Sequence, residues 1–336
     1  MSYGLQQAGI EVLGGIDFDI KCKETYEANV KGGKFVHSDV FKVSPASIAE
    51  ILNYKTTKEH NENLILIGCT PCQYWTQMNT DKTKSRKSKN LLVEFVRFVD
   101  YFQPGYVVVE NVPGIYKNRT ASKLTFFLKW LSDQGYVYSA KIRDTSKYGI
   151  PQKRKRFTLI ANRNSEVIIV PKQSDRKISV RQVIGQHNGF PPVPAGHRDE
   201  TDFMHTVAGL SSLNKKRISK VNKDGGTRFD FANDEELQLE CFKGKDHVYR
   251  DTYGRMKWDD LSPTITTKFY NISCGKFGHP EENRALSLRE GAALQCFPNT
   301  FKFKTKSIAD TARIIGNAVP PEYARIIGEA IIDAHE

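Results

Sequence analysis

Residues 64 to 76 read LILIGCTPCQYWT, an apolar β-branched run that ends in glycine and releases two cysteines, Cys69 and Cys72, in CxxC spacing. The run has the composition of a buried parallel strand. The cysteine segment after it has the composition of a site, because open α/β sheets bind ligands at the carboxyl ends of their strands. Three chemistries fit a CxxC at that place: a redox dithiol, half of a zinc site, or one nucleophile beside a bystander thiol. Structural zinc needs a second ligand pair, yet there is no other CxxC, and the histidines show no matching spacing. A redox dithiol belongs at a helix N-terminus, whereas here the cysteines lead into Gln73, Tyr74, Trp75 and a polar loop.

Moving outward from this strand, the first half alternates strands and helices. Residues 10–16 (IEVLGGI), 106–109 (YVVV), 136–142 and 157–161 read as further strands. Leu91, Leu92, Phe95, Phe98, Val99 and Phe102 recur at helical spacing, as do Leu124, Phe127, Leu128 and Leu131. This predicts an α/β fold built on a doubly wound, mostly parallel sheet. From about 163 proline, glycine, lysine and asparagine rise, and no helix of convincing length is expected before 287. The expected organisation is a catalytic domain over 1–162, an inserted loop-rich domain over 163–284, and a return to the first domain over 285–336, with helices at 288–294 and 323–334.

The chain has 336 residues with 50 Lys and Arg against 38 Asp and Glu, a net charge of +12, so a polyanion is the expected partner. Six cysteines in a chain of this size do not form a disulfide scaffold. With no run of 18 apolar residues and no secretory leader pattern, neither a membrane partner nor export is expected, and the predicted location is cytoplasmic.

Further segments bear on the cysteine. YVVV runs into Glu110-Asn111-Val112-Pro113, which places a carboxylate at the end of a neighbouring strand. In YGIPQKRKRF, Gln152, Arg154 and Arg156 alternate and are expected to share one strand face as a clamp for anions and polar edges.

Taken with PCQ (71–73), ENV (110–112), QKRKR (152–156), RALSLREGAALQCFP (284–298) and GNAVP (316–320), the sequence resembles the DNA (cytosine-5) methyltransferases. The resemblance implies a Rossmann-like methyltransferase fold with 163–284 as a target recognition domain. It also implies S-adenosylmethionine as co-substrate without a metal, double-stranded DNA as partner, and the modification role of a restriction system, nucleoid-associated in a prokaryotic host. Cys72 corresponds to the nucleophile that adds to cytosine C6, Glu110 to the general acid, Arg156 to the ligand of the ring oxygen, and Arg154 to a support for the loop and a nearby phosphate. Asp17, Phe18, Asp39, Val40 and Asn317 fall at cofactor-binding positions, and Gln73, Asn111, Gln152 and Thr264 at substrate-binding ones. Residues 74–90, with five lysines and arginines, fit a lid over the flipped base, and Cys69 becomes the bystander. LNKKRISK and Gly225–Arg228 are candidate groove contacts.

One departure stands out: the family's FxGxG segment, expected between the strands ending near Asp17 and Asp39 and the strand ending at Cys72, has no counterpart. The expectation is weak cofactor binding and low activity for the chain alone, unless a complementary N-terminal polypeptide supplies that strand. The alternatives are then a silent or split-subunit DNA-binding relative, an RNA methylase with the same cysteine chemistry, and, remotely, a thiol redox enzyme.

Overall fold

The computed structural model describes residues 1–55, 61–69, 90–242, 244 and 247–336. In chain order its regular elements are α1 (Ser2–Gln7), β1 (Gly14–Asp17), α2 (Lys23–Asn29), β2 (Lys34–His37), α3 (Pro45–Leu52), β3 (Asn61–Gly68), α4 (Leu91–Phe102), β4 (Pro104–Asn111), α5 (Pro113–Lys117), α6 (Leu124–Asp133), β5 (Val137–Asp144), β6 (Lys155–Asn162), α7 (Val180–Ile184), α8 (Ser212–Lys220), α9 (Leu288–Leu294), α10 (Ile308–Asn317) and α11 (Pro321–Ile332). They fall into two compact units.

Unit 1 comprises Met1–Thr145, Lys155–Gln173 and Tyr323–Glu336. Its larger sheet has the order β3-β4-β6-β5. β3 and β4 pair in parallel, and β6 runs antiparallel to both β4 and β5, so one strand of the four is reversed. β4 is buried at every residue, as its unbroken apolar run requires. Gly105 is obligatory in it, because a Cβ there would stand 2.2 Å from the Glu62 carbonyl oxygen. α4 and α6 pack Leu92, Val99, Leu124, Phe127 and Leu131 onto Val107, Val109, Phe157 and Leu159.

β1 and β2 form a separate parallel pair. Two apolar cores lie against β3, and one of them also takes in β1 and β2. In one, Ile48, Ala49, Phe98 and Phe102 meet Ile16, Val36, Leu64 and Leu66; in the other, Leu5, Val12 and Val30 meet Ile67. Successive strand residues point to opposite faces, so Leu66 and Ile67 serve different cores. β1 is shorter than the expected 10–16, because the Ile10 N–H turns back to the Leu5 carbonyl to close α1.

Unit 2 comprises Ser146–Arg154 and Ser174–Glu322. The sequence boundaries shift accordingly: residues 285–322 stay with this unit and only Tyr323 onward returns to unit 1. Ser146–Arg154 also belongs here, since Gln152 bridges Ser262 rather than continuing β6. Contrary to expectation, LNKKRISK is helical. Ser211 caps α8 by accepting from the Asn214 N–H, and only Arg217 and Ile218 are buried, so the helix carried almost no apolar periodicity.

Most of unit 2 is irregular, and four fully buried arginines, Arg154, Arg255, Arg284 and Arg289, satisfy its interior. Arg255 donates to the carbonyls of Val221, Ile218, His279 and Glu282 and to Asn283 Oδ1. Arg289 donates to the carbonyls of Phe203, Asp202, Pro298 and Phe301. Arg284 forks onto two carboxylates, Glu282 and Glu290, at 2.7–3.0 Å. Burial alone would raise the Glu290 pKa, but the facing guanidinium outweighs it and holds the group down to about 2.

Candidate active site

In unit 1 the parallel register pairs Gly68 with Val109, so β3 and β4 deliver Cys69 and Glu110 at the same end of the sheet. Cys72 and Gln73, and the 74–89 segment of the expected lid, lie outside the described residues. Cys69 is exposed. Glu110 is buried, and its Oε1 lies 3.1 Å from Arg156 Nε. The antiparallel ladder explains the contact: Glu110 pairs with Thr158, and Arg156, two residues earlier on β6, shares that face as the diagonal neighbour. The Arg156 Nη1 donates to the Lys155 carbonyl at 2.8 Å, fixing the plane of the guanidinium. Asn111 is buried beside this pair, its Oδ1 accepting from the Val112 N–H.

Asp17 and Phe18 lie at the end of β1, Asp39 and Val40 just beyond β2. The register Asp17↔His37 puts both turns at one end of the pair. Asp17 Oδ1 accepts from the Asp19 N–H at 2.9 Å and Asp39 Oδ1 from the Phe41 N–H at 3.0 Å, which locks each carboxylate into its turn. The Val40 carbonyl accepts from Arg97. Phe18 is 67% exposed, an unusual place for a large apolar ring, and its carbonyl is bonded to His37. Two acids flanking an open aromatic face suit a nucleoside: the carboxylates accept from ribose hydroxyls or an amino group, and the ring offers a stacking surface. The adenosine half of S-adenosylmethionine fits this donor and acceptor set.

In unit 2, Thr264 donates its hydroxyl to the Lys153 carbonyl at 2.5 Å. Asn317 is exposed at the last residue of α10. Gln152 and Arg154 do not share an exposed strand face with Arg156. β6 begins only at Lys155, and both side chains are buried. Arg154 donates to the carbonyls of Ile265, Gly316 and Ala318. A guanidinium committed inside the protein in this way presents no face to a phosphate. Sequence reading missed Gln295, which is fully buried against Gln152. Its only sequence signal was its place in the RALSLREGAALQCFP stretch.

Among the described residues no helix is long and apolar enough to cross a membrane. Comparison with known proteins places the chain in a family. The model of the family described as C-5 cytosine-specific DNA methylase matches residues 1–333. Type II methylase M.HgiDII of Herpetosiphon aurantiacus is 35% identical over 98% of this chain and 91% of its own length. Type II methyltransferase M1.HphI of Haemophilus parahaemolyticus is 29% identical over 98% and 83%. A solved prophage-encoded DNA modification methyltransferase from E. coli superposes with a TM-score of 0.73 at 20% identity, covering 99% of this chain and 95% of the other, and so shares the fold. The chain belongs to the C-5 cytosine-specific DNA methylase family.

Proposed function

We propose that the chain transfers a methyl group from S-adenosylmethionine to C5 of a cytosine in a specific duplex DNA sequence, as the modification enzyme of a restriction system. The observation that carries this reading is the buried Glu110–Arg156 pair at the carboxyl end of β4, beside the strand that leads into Pro71-Cys72-Gln73. Cytosine C5 is a weak nucleophile. The Cys72 thiolate adds to C6, and the ring electrons move toward C5 while Glu110, as general acid, supplies a proton at N3. Arg156 holds the ring oxygen and keeps Glu110 in place. C5 then takes the methyl group, releasing S-adenosylhomocysteine. Loss of the C5 proton to a base expels the thiolate from C6, and N3 returns its proton to Glu110, which restores both the ring and the general acid. The base must leave the duplex to reach these groups, at a cost of about a few kcal/mol. Asp17, Phe18 and Asp39 bind the nucleoside of the co-substrate, and Thr264 and Asn317 contact the target backbone and the cofactor side respectively.

Methyl transfer from labelled S-adenosylmethionine to unmethylated mixed-sequence DNA tests the reading. Activity is expected in the parent and in Cys69→Ser, with none in Cys72→Ser. A Cys72→Ser protein as active as the parent refutes the mechanism.

One observation favours a second reading, a split enzyme. β1 and β3 are half-exposed strands that share one core, yet they belong to separate sheets. A strand from a complementary polypeptide would pair with both edges, and the chain alone would then be catalytically impaired. Tight calorimetric binding of S-adenosylmethionine by the chain alone refutes this second reading.

A further inference from the structure

Unit 2 contains a buried amide pair whose geometry reaches both of the loops given roles above. Gln152 and Gln295 are each fully buried. Gln152 Nε2 donates to Gln295 Oε1 at 2.6 Å and to the Leu294 carbonyl at 3.0 Å. The remaining atoms go to different loops. Gln152 Oε1 accepts from the Ile265 N–H at 3.2 Å, one residue beyond Thr264. Gln295 Nε2 donates to the carbonyls of Ile315 at 2.8 Å and Ala318 at 3.4 Å, which flank Asn317. Arg154 closes the ring by donating to Ile265 at 3.1 Å and to Ala318 at 3.0 Å.

These backbone partners dictate both amide orientations. The Ile265 N–H requires an oxygen from Gln152, which turns its nitrogen toward Gln295 and leaves the Gln295 nitrogen for the carbonyls of Ile315 and Ala318. The loops themselves touch: a Cβ on Gly316 would lie 2.4 Å from the Thr266 carbonyl carbon and 2.5 Å from its oxygen. An apolar pair of the same volume would fill the space without setting the register of one loop against the other. A fully satisfied polar network does set it, because any slip leaves a buried group without a partner.

We infer that Gln295 is a positioning residue that holds the Asn317 loop and the Thr264 loop as one block, so that cofactor binding and target binding depend on a single side chain. This rests on the proposed function. Gln295→Met keeps the length and removes the amide. Its KM for S-adenosylmethionine and its KM for DNA are expected to rise together, each by about tenfold, with kcat changed less.

Gln295→Glu supplies the discriminating readout. When ionised it turns a carboxylate oxygen toward the Ile315 carbonyl; when protonated it donates there as the amide did. Both KM values of this variant should therefore recover toward those of the parent as pH is lowered, and neither the parent nor Gln295→Met should show that recovery. A merely structural role would lower the melting temperature without it. If Gln295→Met does not fold, the pH profile of Gln295→Glu still decides. Unchanged KM values, a change in only one of them, or no recovery on acidification would overturn the inference. A parent without methyl transfer would overturn the proposed function itself; an active parent with unaffected variants overturns only the role of Gln295.

Discussion

Glu110 and Arg156 should act as one unit in both stability and turnover, and a double-mutant cycle measures this. At 3.1 Å, with side chains 10% and 15% exposed, the pair has a Coulomb attraction of about 5 kcal/mol at an effective dielectric of about 20. Desolvation of both groups opposes that attraction, leaving an expected net coupling of about 2 kcal/mol. Glu110→Gln and Arg156→Met each strand a nearly buried charge and should cost about 3 kcal/mol in urea unfolding, whereas the double variant should cost clearly less than their sum. Turnover obeys a different rule. Each single change removes a group from the same polarised ring and should lower methyl transfer by about 100-fold or more. The double variant should fall little below the worse single, because groups that act together are not additive. A stability coupling below about 0.5 kcal/mol, as for a solvated pair, or multiplicative losses in turnover, would refute the reasoning.

Three further outcomes rest on the geometry. Phe18→Ala removes a ring that is 67% exposed, so KM for S-adenosylmethionine should rise about tenfold with little change in melting temperature; steady-state kinetics beside a thermal melt check both. Arg255→Met removes five donated bonds, to four carbonyls and Asn283 Oδ1, which should cost about 4 kcal/mol, read as a lowered urea midpoint. Glu290, held down to about 2, binds its proton more weakly in the folded chain than in the unfolded one. Its contribution is therefore complete above the ordinary carboxylate range and is lost as pH falls from about 4.5 toward 2. Glu290→Gln should flatten that part of the stability profile.

The range of the interactions involved decided which elements the sequence disclosed. β4 was legible because a strand buried on both faces is apolar at every position, and α6 because its apolar stripe recurs within ten residues. α3 was not read, and β2 entered only through the family resemblance, as the strand ending near Asp39, because KFVH is too short and too polar to separate from a turn. α8 hid because its buried face is one arginine and one isoleucine. At the site, Glu110 and Arg156 were recognisable by type and position, although their contact depends on a ladder register that no local pattern states. Gln152 and Arg154 were misread as strand neighbours of Arg156, since their partners lie more than a hundred residues downstream. Alternation in a short basic run carries no information about such distant bonds.

Those distant bonds also explain how unit 2 holds a fold with so little regular structure. Backbone carbonyls in a loop-rich interior lack ladder donors, and each must find one or exact a desolvation cost. Arginine is suited to this role, because one guanidinium offers five N–H donors in a fixed fork and keeps its charge at any physiological pH. Burial lowers the Arg255 and Arg289 pKa values only to about 10, which leaves both fully protonated under those conditions. Lysine would reach fewer acceptors, and an amide would supply two donors at most. The scaffold is thus held from within by side chains that solvent does not reach. Substitutions on its exposed surface, including the lysines of α8, need not disturb the bonds that hold it.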